Sequence, residues 1–339
     1  MIRHILEKIT EKEDLSLDES YSLMESIMNG EINNSHLAGL LLALKTKGET
    51  AVELAGFVKA MRNKCIKINL PSDSTIDMCG TGGDYSGTFN ISTAASFVAA
   101  GAGVFVAKHG NRSVSSKCGS ADVLKELGVN ISLTPEDSQK ALHEIGIAFL
   151  FAPIYHPSMK NAAPVRSELG IKTIFNMLGP LTNPAGTKKQ LIGTFSKRVS
   201  EIMCRASEYL EMGKVCFVNT GNQFDEISLT GETNVDEYSI SSGIRHYALN
   251  YKDFGYPEID AASLHGESAK ENAGIILDVL RQKNNNGAYK VIAANAAMGL
   301  YTAGYSDDLL ECTSAAEESI QSGRAFSKLK SLCSFGEVR

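Results

Sequence analysis

The stretch TIDMCGTGGDYSGTFNIST, residues 75–93, sets Gly80, Gly82, Gly83 and Gly87 between a short apolar run and a segment of helical character. Glycine has no side chain to pack and costs backbone entropy, so this density points to close backbone approach or positive φ rather than an ordinary turn. An apolar strand, a glycine loop and a helix opening near Asn90 together have the geometry of an anion site. The free N–H groups and the positive end of the helix dipole face the loop, with the hydroxyls of Ser92 and Thr93 beside them. Phosphate is the guest this favours. Neither familiar glycine motif fits: Tyr85 stands where the dinucleotide fingerprint needs its last glycine, and Thr88 and Phe89 replace the lysine and hydroxyl residue of a Walker A loop. A glycine-rich connection with nothing bound is the plain alternative.

Three further groups have types and positions suited to chemistry. Residues 108–124, KHGNRSVSSKCGSADVL, follow a second apolar run and gather Lys108, His109, Arg112 and Lys117 with Asn111, Ser113, Ser115, Ser116 and Ser120. Cations and hydroxyls at this density suit a diphosphate, against the alternative of a solvated basic loop. The run KVCFVNT leads into GNQFDEIS and sets Asp225 beside Glu226 at a strand mouth. Adjacent carboxylates facing a phosphate suit magnesium, whereas acids in a turn are commonly only exposed; Ser92 is either a further metal ligand or a helix cap. Arg166, in PVRSEL, is expected on the first turns of a helix. Its guanidinium fork suits a carboxylate or a phosphate, while a surface pair with Glu168 is the commoner fate. His156 and His246 have no identifiable partner and read as structural.

These groups need a scaffold, and the pattern supplies one. Ile2, Ile5, Leu6 and Ile9 mark one buried stripe, and helices are expected near 18–29, 35–46 and 51–64, the last opened by a Thr50/Glu53 capping box. So small a bundle buries little surface alone. The run LAGLLLAL at 37–44, apolar nearly all round, suits an interface helix, with Leu37, Leu41 and Leu44 as candidates for contact with a second copy. After a linker at 66–74 the pattern alternates, predicting strands near 75–79, 104–107, 147–151, 190–195, 214–219, 233–240 and 244–249. Thr134 and Pro135 cap one intervening helix, and the C-terminal part is mainly helical, near 268–282, 288–301 and 307–321. Residues 156–185 break the alternation with short pieces between prolines and glycines. The fold class expected is α/β: a helical bundle at 1–70, completed by roughly 165–185, and a larger domain over 71–164 and 186–339 with a mostly parallel central sheet flanked by helices.

With 339 residues, 43% of them hydrophobic, the chain describes an ordinary globule of about two domains. A formal net charge of −6 argues against a general nucleic-acid binder, so an anionic ligand must be met by a local cluster of cations. The charged start MIRHILEKITEKED lacks the apolar core of a signal peptide, and no stretch reaches the ~20 apolar residues that span a bilayer. Seven cysteines without C-x-x-C spacing read as reduced structural thiols in a cytoplasmic protein.

With these residues assembled, the sequence resembles the anthranilate phosphoribosyltransferases, glycosyltransferases of tryptophan biosynthesis that join anthranilate to phosphoribosyl diphosphate. The resemblance rests on GTGGD at 80–84, TFNIST at 88–93, KHGNR at 108–112, CGSADVL at 118–124, PVRSELG at 164–170, the run FNMLGPLTNPA and DEIS at 225–228, and it covers essentially the whole chain. Their relatives, the pyrimidine nucleoside phosphorylases, have other phosphate loops. The resemblance implies that Gly80, Gly83, Asp84, Thr88, Asn90, Ile91, Ser92, Thr93, Lys108, His109, Gly110, Asn111, Arg112, Ser113, Val114, Ser115, Ser116 and Ser120 bind phosphoribosyl diphosphate. It implies that Gly80, Asn111 and Arg166 contact anthranilate, and that one magnesium ion sits at Ser92 and another at Asp225 and Glu226. A homodimer through the helical part is also implied. The reaction implied is attack of the amine on the anomeric carbon as diphosphate leaves, with Lys108 and magnesium stabilising the leaving group and no covalent nucleophile.

Overall fold

The computed structural model describes residues 2–83, 86–112, 118–282 and 286–335. The chain opens with α1 (Ile2–Thr10), α2 (Leu17–Met28), α3 (Asn34–Lys47) and α4 (Ala51–Lys64). It then runs through β1 (Ile76–Gly80), α5 (Ile91–Gly101), β2 (Val106–Gly110), α6 (Ser120–Glu126), α7 (Pro135–Ile145) and β3 (Ile147–Phe151). The insertion follows as α8 (Ala152–Tyr155), a 3-10 turn, α9 (Ala163–Leu169) and α10 (Phe175–Leu181). The second half contains β4 (Lys189–Gly193), α11 (Lys197–Tyr209), β5 (Lys214–Thr220), β6 (Thr233–Ser239) and β7 (Gly243–Leu249), then α12 (Ala269–Leu280), α13 (Gly287–Ala303), α14 (Leu309–Gln321) and α15 (Arg324–Ser334).

The strands form one sheet in the order β3-β2-β1-β4-β5-β6-β7. Neighbours from β3 to β5 pair in parallel, and β6 and β7 close the edge as antiparallel strands. The sheet is thus mostly parallel, as expected. Every strand foreseen is present, but β2 begins and ends later than predicted, which carries Lys108, His109 and Gly110 out of the expected loop and into the sheet. Helix α15 was not expected; its apolar spacing is carried by Ala325, Leu329 and Leu332, which bury against the core.

Two apolar clusters fill the molecule. One lies under α5, α13 and the C-terminal helices on one face of the sheet. On the other, the bundle, the insertion and α11 share a cluster that includes Leu37, Leu54, Phe57, Val165, Phe175, Leu178 and Met203. Helix α9 packs on α3, and α10 packs on α4. Polar ties reinforce this packing: Lys45 Nζ donates to the Lys172 carbonyl at 2.6 Å, Arg62 Nε to that of Leu181 at 2.7 Å, and Asn161 Nδ2 to that of Met28 at 2.8 Å. Leu37, Leu41 and Leu44 are spent in this cluster, which corrects their candidacy for contact with a second copy. Leu42 is the leucine of α3 left exposed, at 43%.

The Thr50/Glu53 capping box forms as its spacing predicts. Glu53 N donates to Thr50 Oγ1 at 3.3 Å, and Thr50 N donates to Glu53 Oε2 at 2.9 Å. The same carboxylate, wholly buried, also accepts from Leu15 N at 2.9 Å and pairs with Lys47 at 3.1 Å. One side chain thereby closes the α1–α2 turn onto α4. Glu53→Ala leaves two backbone donors unpaired and takes from Lys47 one of its two carboxylate partners, the other being Asp14, so it should destabilise by about 2–5 kcal/mol, against about 1 kcal/mol for Thr50→Ala, where only the cap is lost. Urea denaturation of the two variants checks the difference.

Candidate active site

The chain runs from β1 outward through β2 to β3, then returns to lay β4 on the other side of β1. This reversal opens a crevice at the carboxyl ends of β1 and β4, where ligands of open α/β sheets bind. Gly80 ends β1 and Gly193 ends β4, side by side in the ladder. A Cβ on Gly193 would lie 1.6 Å from the Asp225 carbonyl oxygen, and one on Gly80 would lie 2.9 Å from Asp225 Oδ2. The loop after β5 therefore lies against both strand ends only because neither has a side chain.

From there the two acids reach the glycine loop and the helix. Asp225 Oδ2 accepts from Gly82 N at 3.2 Å, and Glu226 Oε1 accepts from Ser92 N at 3.2 Å, in the first turn of α5. Gly82 and Gly83 have φ of +64° and +75°, which is the backbone use their density announced. The far side of the loop is held by a segment that sequence reasoning did not find. Thr88 bridges to His265, Phe89 N donates to the Leu264 carbonyl at 2.9 Å, and Gly266 N donates to that of Gly87 at 2.9 Å. Because this pairing joins residues far apart in the chain through backbone atoms, it left no side-chain signature.

At the mouth of α5, Asn90 does not cap the helix with its side chain. Its Oδ1 instead accepts from Asn272 Nδ2 at 3.0 Å and from the Cys118 thiol at 3.4 Å. Ile91 is buried, and the buried hydroxyl of Thr93 has no hydrogen-bond partner among the described residues. Lys108, only 3% exposed, donates to the Met78 carbonyl at 2.5 Å and to Ser92 Oγ at 3.4 Å. Burial pulls its pKa below the ordinary lysine range, opposed by the charges of Asp77, Cys79 and Glu226. The chain thus brings Gly80, Gly83, Thr88, Ser92, Lys108, Asp225 and Glu226 to one crevice.

Successive side chains of a strand face opposite ways, so His109 points away from Lys108. Its ring lies 5.2 Å from that of His156, under the insertion, which differs from its expected place in the phosphate loop. Desolvation lowers the His109 pKa to about 3, with the neighbouring His156 adding to the effect and a hydrogen bond to the Gly179 backbone opposing it. Burial likewise lowers His156 to about 4. Beyond Gly110, the exposed Asn111 offers its carbonyl to Ala121 N at 3.2 Å and to Ser120 Oγ at 3.3 Å, so Ser120 stands beside the strand exit. Arg112 stacks 5.9 Å from the Phe151 ring. Asp84, Ser113, Val114, Ser115, Ser116 and Lys117, assigned above to the phosphate site, lie outside the described residues.

Arg166 is the fourth residue of the short α9, on the first turns of a helix as expected, with its guanidinium 4.9 Å from the ring centre of Phe175. The surface pair with Glu168 does not form, and desolvation lowers the Arg166 pKa. A half-buried guanidinium held by an aromatic face remains free to take an anionic group. His246 does have a partner, contrary to the sequence reading: its Nδ1 lies 2.5 Å from Asp236 Oδ1, far from the crevice on β6 and β7. Burial raises the Cys79 and Cys118 thiols above their ordinary pKa, against a nucleophilic role.

The donor set suits magnesium, which takes one or two carboxylates and completes its shell with water and substrate oxygens. Asp225, Glu226 and the Ser92 hydroxyl are hard oxygen donors beside the glycine loop. Among the described residues no three His, Cys, Asp or Glu side chains converge into an all-protein cage.

Residues 72–326 match the profile of the glycosyl transferase family a/b domain, and residues 3–65 that of its helical bundle domain. The anthranilate phosphoribosyltransferase of Desulfatibacillum aliphaticivorans is 44% identical over 335 residues, covering 99% of this chain and 98% of that one. The chain belongs to the anthranilate phosphoribosyltransferase family. The crystal structure of the Thermus thermophilus member superposes with a TM-score of 0.91 at 39% identity, covering 98% of both chains. That of the Saccharomyces cerevisiae enzyme in complex with PRPP and Mg superposes with 0.88 at 28% identity, covering 97% of this chain and 96% of that one. The yeast enzyme has also been solved in complex with 4-fluoroanthranilate, at 27% identity.

The histidine pair makes stability depend on pH. Unfolding lets His109 and His156 take up protons below about pH 6.5 that the folded chain refuses until about 3 and 4. Asp77, raised by burial to about 6, works the other way, because the folded chain holds a proton there that the unfolded chain releases. Between pH 6 and 5 unfolding should take up roughly one proton net, so stability should fall by about 1.4 kcal/mol per pH unit as pH is lowered. His156→Asn should nearly abolish that slope, as urea midpoints measured across the window will show.

Proposed function

We propose that this chain transfers the phosphoribosyl group of phosphoribosyl diphosphate to the amine of anthranilate, releasing diphosphate, in tryptophan biosynthesis. The observation that carries the reading is the crevice itself, where a glycine loop and a helix N-terminus meet paired carboxylates; the half-buried Arg166, held on the Phe175 ring in the insertion, is the cation we assign to the second substrate. The yeast enzyme's structures in complex with PRPP and Mg and with 4-fluoroanthranilate support it.

We assign the diphosphate to Gly80, Gly83, Asp84, Thr88 and the Asn90–Thr93 turn, with the Lys108–Ser116 segment and Ser120 opposite. Backbone N–H groups of the loop and of α5 donate to the leaving oxygens. Lys108 acts from beneath, its ammonium 3.4 Å from Ser92 Oγ supporting negative charge above it. Anthranilate is held through its carboxylate by Arg166, with Asn111 and Gly80 orienting the amine in line with the anomeric carbon. The neutral amine needs no strong base, and the neutral His109 forms part of the wall under the insertion. Ser92 would hold one magnesium ion and Asp225 with Glu226 another, supplying positive charge against the leaving diphosphate. The protein acts in the cytoplasm as a homodimer joined through the bundle.

Loss of anthranilate fluorescence in the presence of phosphoribosyl diphosphate and magnesium tests the reaction; no loss with either substrate in excess sinks it. Arg166→Ala removes a charge-assisted grip on a group that does not react, so it should raise KM for anthranilate on the order of tenfold or more and leave KM for phosphoribosyl diphosphate near its original value. A rise in the second KM instead would assign Arg166 to the diphosphate. Asp225→Asn with Glu226→Gln should shift activity to much higher magnesium concentrations, and an unchanged titration would show that these acids hold no ion. Leu42→Glu places a charge on the exposed apolar position of α3 and should convert a sedimenting dimer into monomer; a parent protein already monomeric at micromolar concentration refutes the interface.

A further inference from the structure

Asp77 is fully buried on β1, three residues before the glycine loop, and takes no part in the chemistry described above. Across the ladder it stands opposite Gln190 of β4. Three donors from three other segments converge on its two oxygens. The backbone N–H of His109, on β2, donates to Oδ1 at 3.1 Å. Asn183 Nδ2, from the loop that ends the insertion, donates to Oδ2 at 2.8 Å, and Gln190 Nε2 donates to the same oxygen at 3.3 Å. Both carboxamides are committed elsewhere too: Asn183 Nδ2 donates to the Ala107 carbonyl at 2.8 Å while its Oδ1 accepts from Ala185 N at 2.8 Å, and Gln190 Nε2 donates to the Pro180 carbonyl at 2.7 Å. Neither can turn over without breaking its other bonds. The position therefore demands a side chain that only accepts, and a carboxylate meets that demand.

We propose that Asp77 and Asn183 are a positioning pair that fixes the exit of β2, where the diphosphate loop begins, against the insertion that carries the anthranilate contacts. This inference rests on the transfer reading given above. His109 N sits two residues before Asn111, and Asn183 closes the segment that contains Arg166 and Phe175. Both substrates are thus registered to one buried carboxylate beneath the floor between them. In-line attack depends on that register, since a displacement of about 1 Å at a reacting pair can cost on the order of 100-fold in rate.

Asp77→Asn keeps the size and the Oδ1 acceptor but turns an amide donor toward Asn183 and Gln190. Asn183→Ser withdraws the reach to Asp77 while leaving Gln190 in place. In either variant kcat should fall on the order of 10- to 100-fold while the KM for each substrate stays close to that of the parent. The double variant should lose little more than the worse single one, because both break the same contact. Hydrogen exchange at the His109 amide reads the pair without any chemistry and should quicken by about tenfold in Asn183→Ser. If Asp77→Asn does not fold, Asn183→Ser carries the test through both readouts. Folded variants with unchanged kcat, or a rise in one KM alone, overturn the proposal, as does an unchanged exchange rate. A parent protein that consumes no anthranilate would refute the transfer reading, while the exchange rate would still decide whether the contact holds the strand exit.

Discussion

The whole site depends on one close approach: the carbonyl of Asp225 lies where a side chain on Gly193 would have to be. Because β4 ends in glycine, the loop after β5 folds over the crevice at the reversal of strand order instead of turning away from it. Asp225 then reaches the amide of Gly82, and Glu226 reaches that of Ser92 in the first turn of α5. Two carboxylates on backbone N–H groups at an anion site look like the wrong charge in the wrong place. They become intelligible where a cation is to be shared with an anionic substrate, since acids beside a helix N-terminus are also stabilised by its dipole.

Strand β2 divides the labour between two pockets by simple alternation. Lys108 faces α5 and supplies positive charge beneath Ser92, and His109 faces the insertion as a neutral ring beside His156. A shift of register by one residue would exchange them, putting the ammonium under the insertion and the imidazole under the phosphate loop. The parallel pairing of β2 with both β1 and β3 prevents this. With an overall charge of −6, the chain depends on such local placement, because its surface as a whole does not attract anions.

The insertion packs as part of the bundle and carries the arginine proposed to hold anthranilate. Phe175 illustrates both: it is buried in the cluster shared with α4, and its ring holds the Arg166 guanidinium. Motion of the bundle against the sheet would therefore carry Arg166 with it. The ties from Arg62 to Leu181 and from Asn161 to Met28 join the insertion to the helices, while those from Gln190 to Pro180 and from Asn183 to Asp77 join it to the strands.

Much of this was legible in order along the chain. Strand periodicity, the glycine density at 80–87, the Thr50/Glu53 capping box and the Thr134/Pro135 helix start are local signals, set by the backbone preferences of neighbouring residues, and apart from the shift of β2 each appears where the sequence places it. The motifs also sufficed for the family. What the sequence did not determine is which way side chains point and which distant segments meet. The late end of β2 buried Lys108 and His109, packing against α1 and the insertion buried leucines of α3, and Asp236 met His246 across an antiparallel pair. Asp77 drew no notice in an apolar run, and the segment at Leu264–Gly266 acts through backbone atoms that carry no residue signature. Local propensity is a property of a few neighbouring residues and survives in sequence; burial and long-range hydrogen bonding exist only once the chain has closed on itself, so the tertiary structure alone decides them.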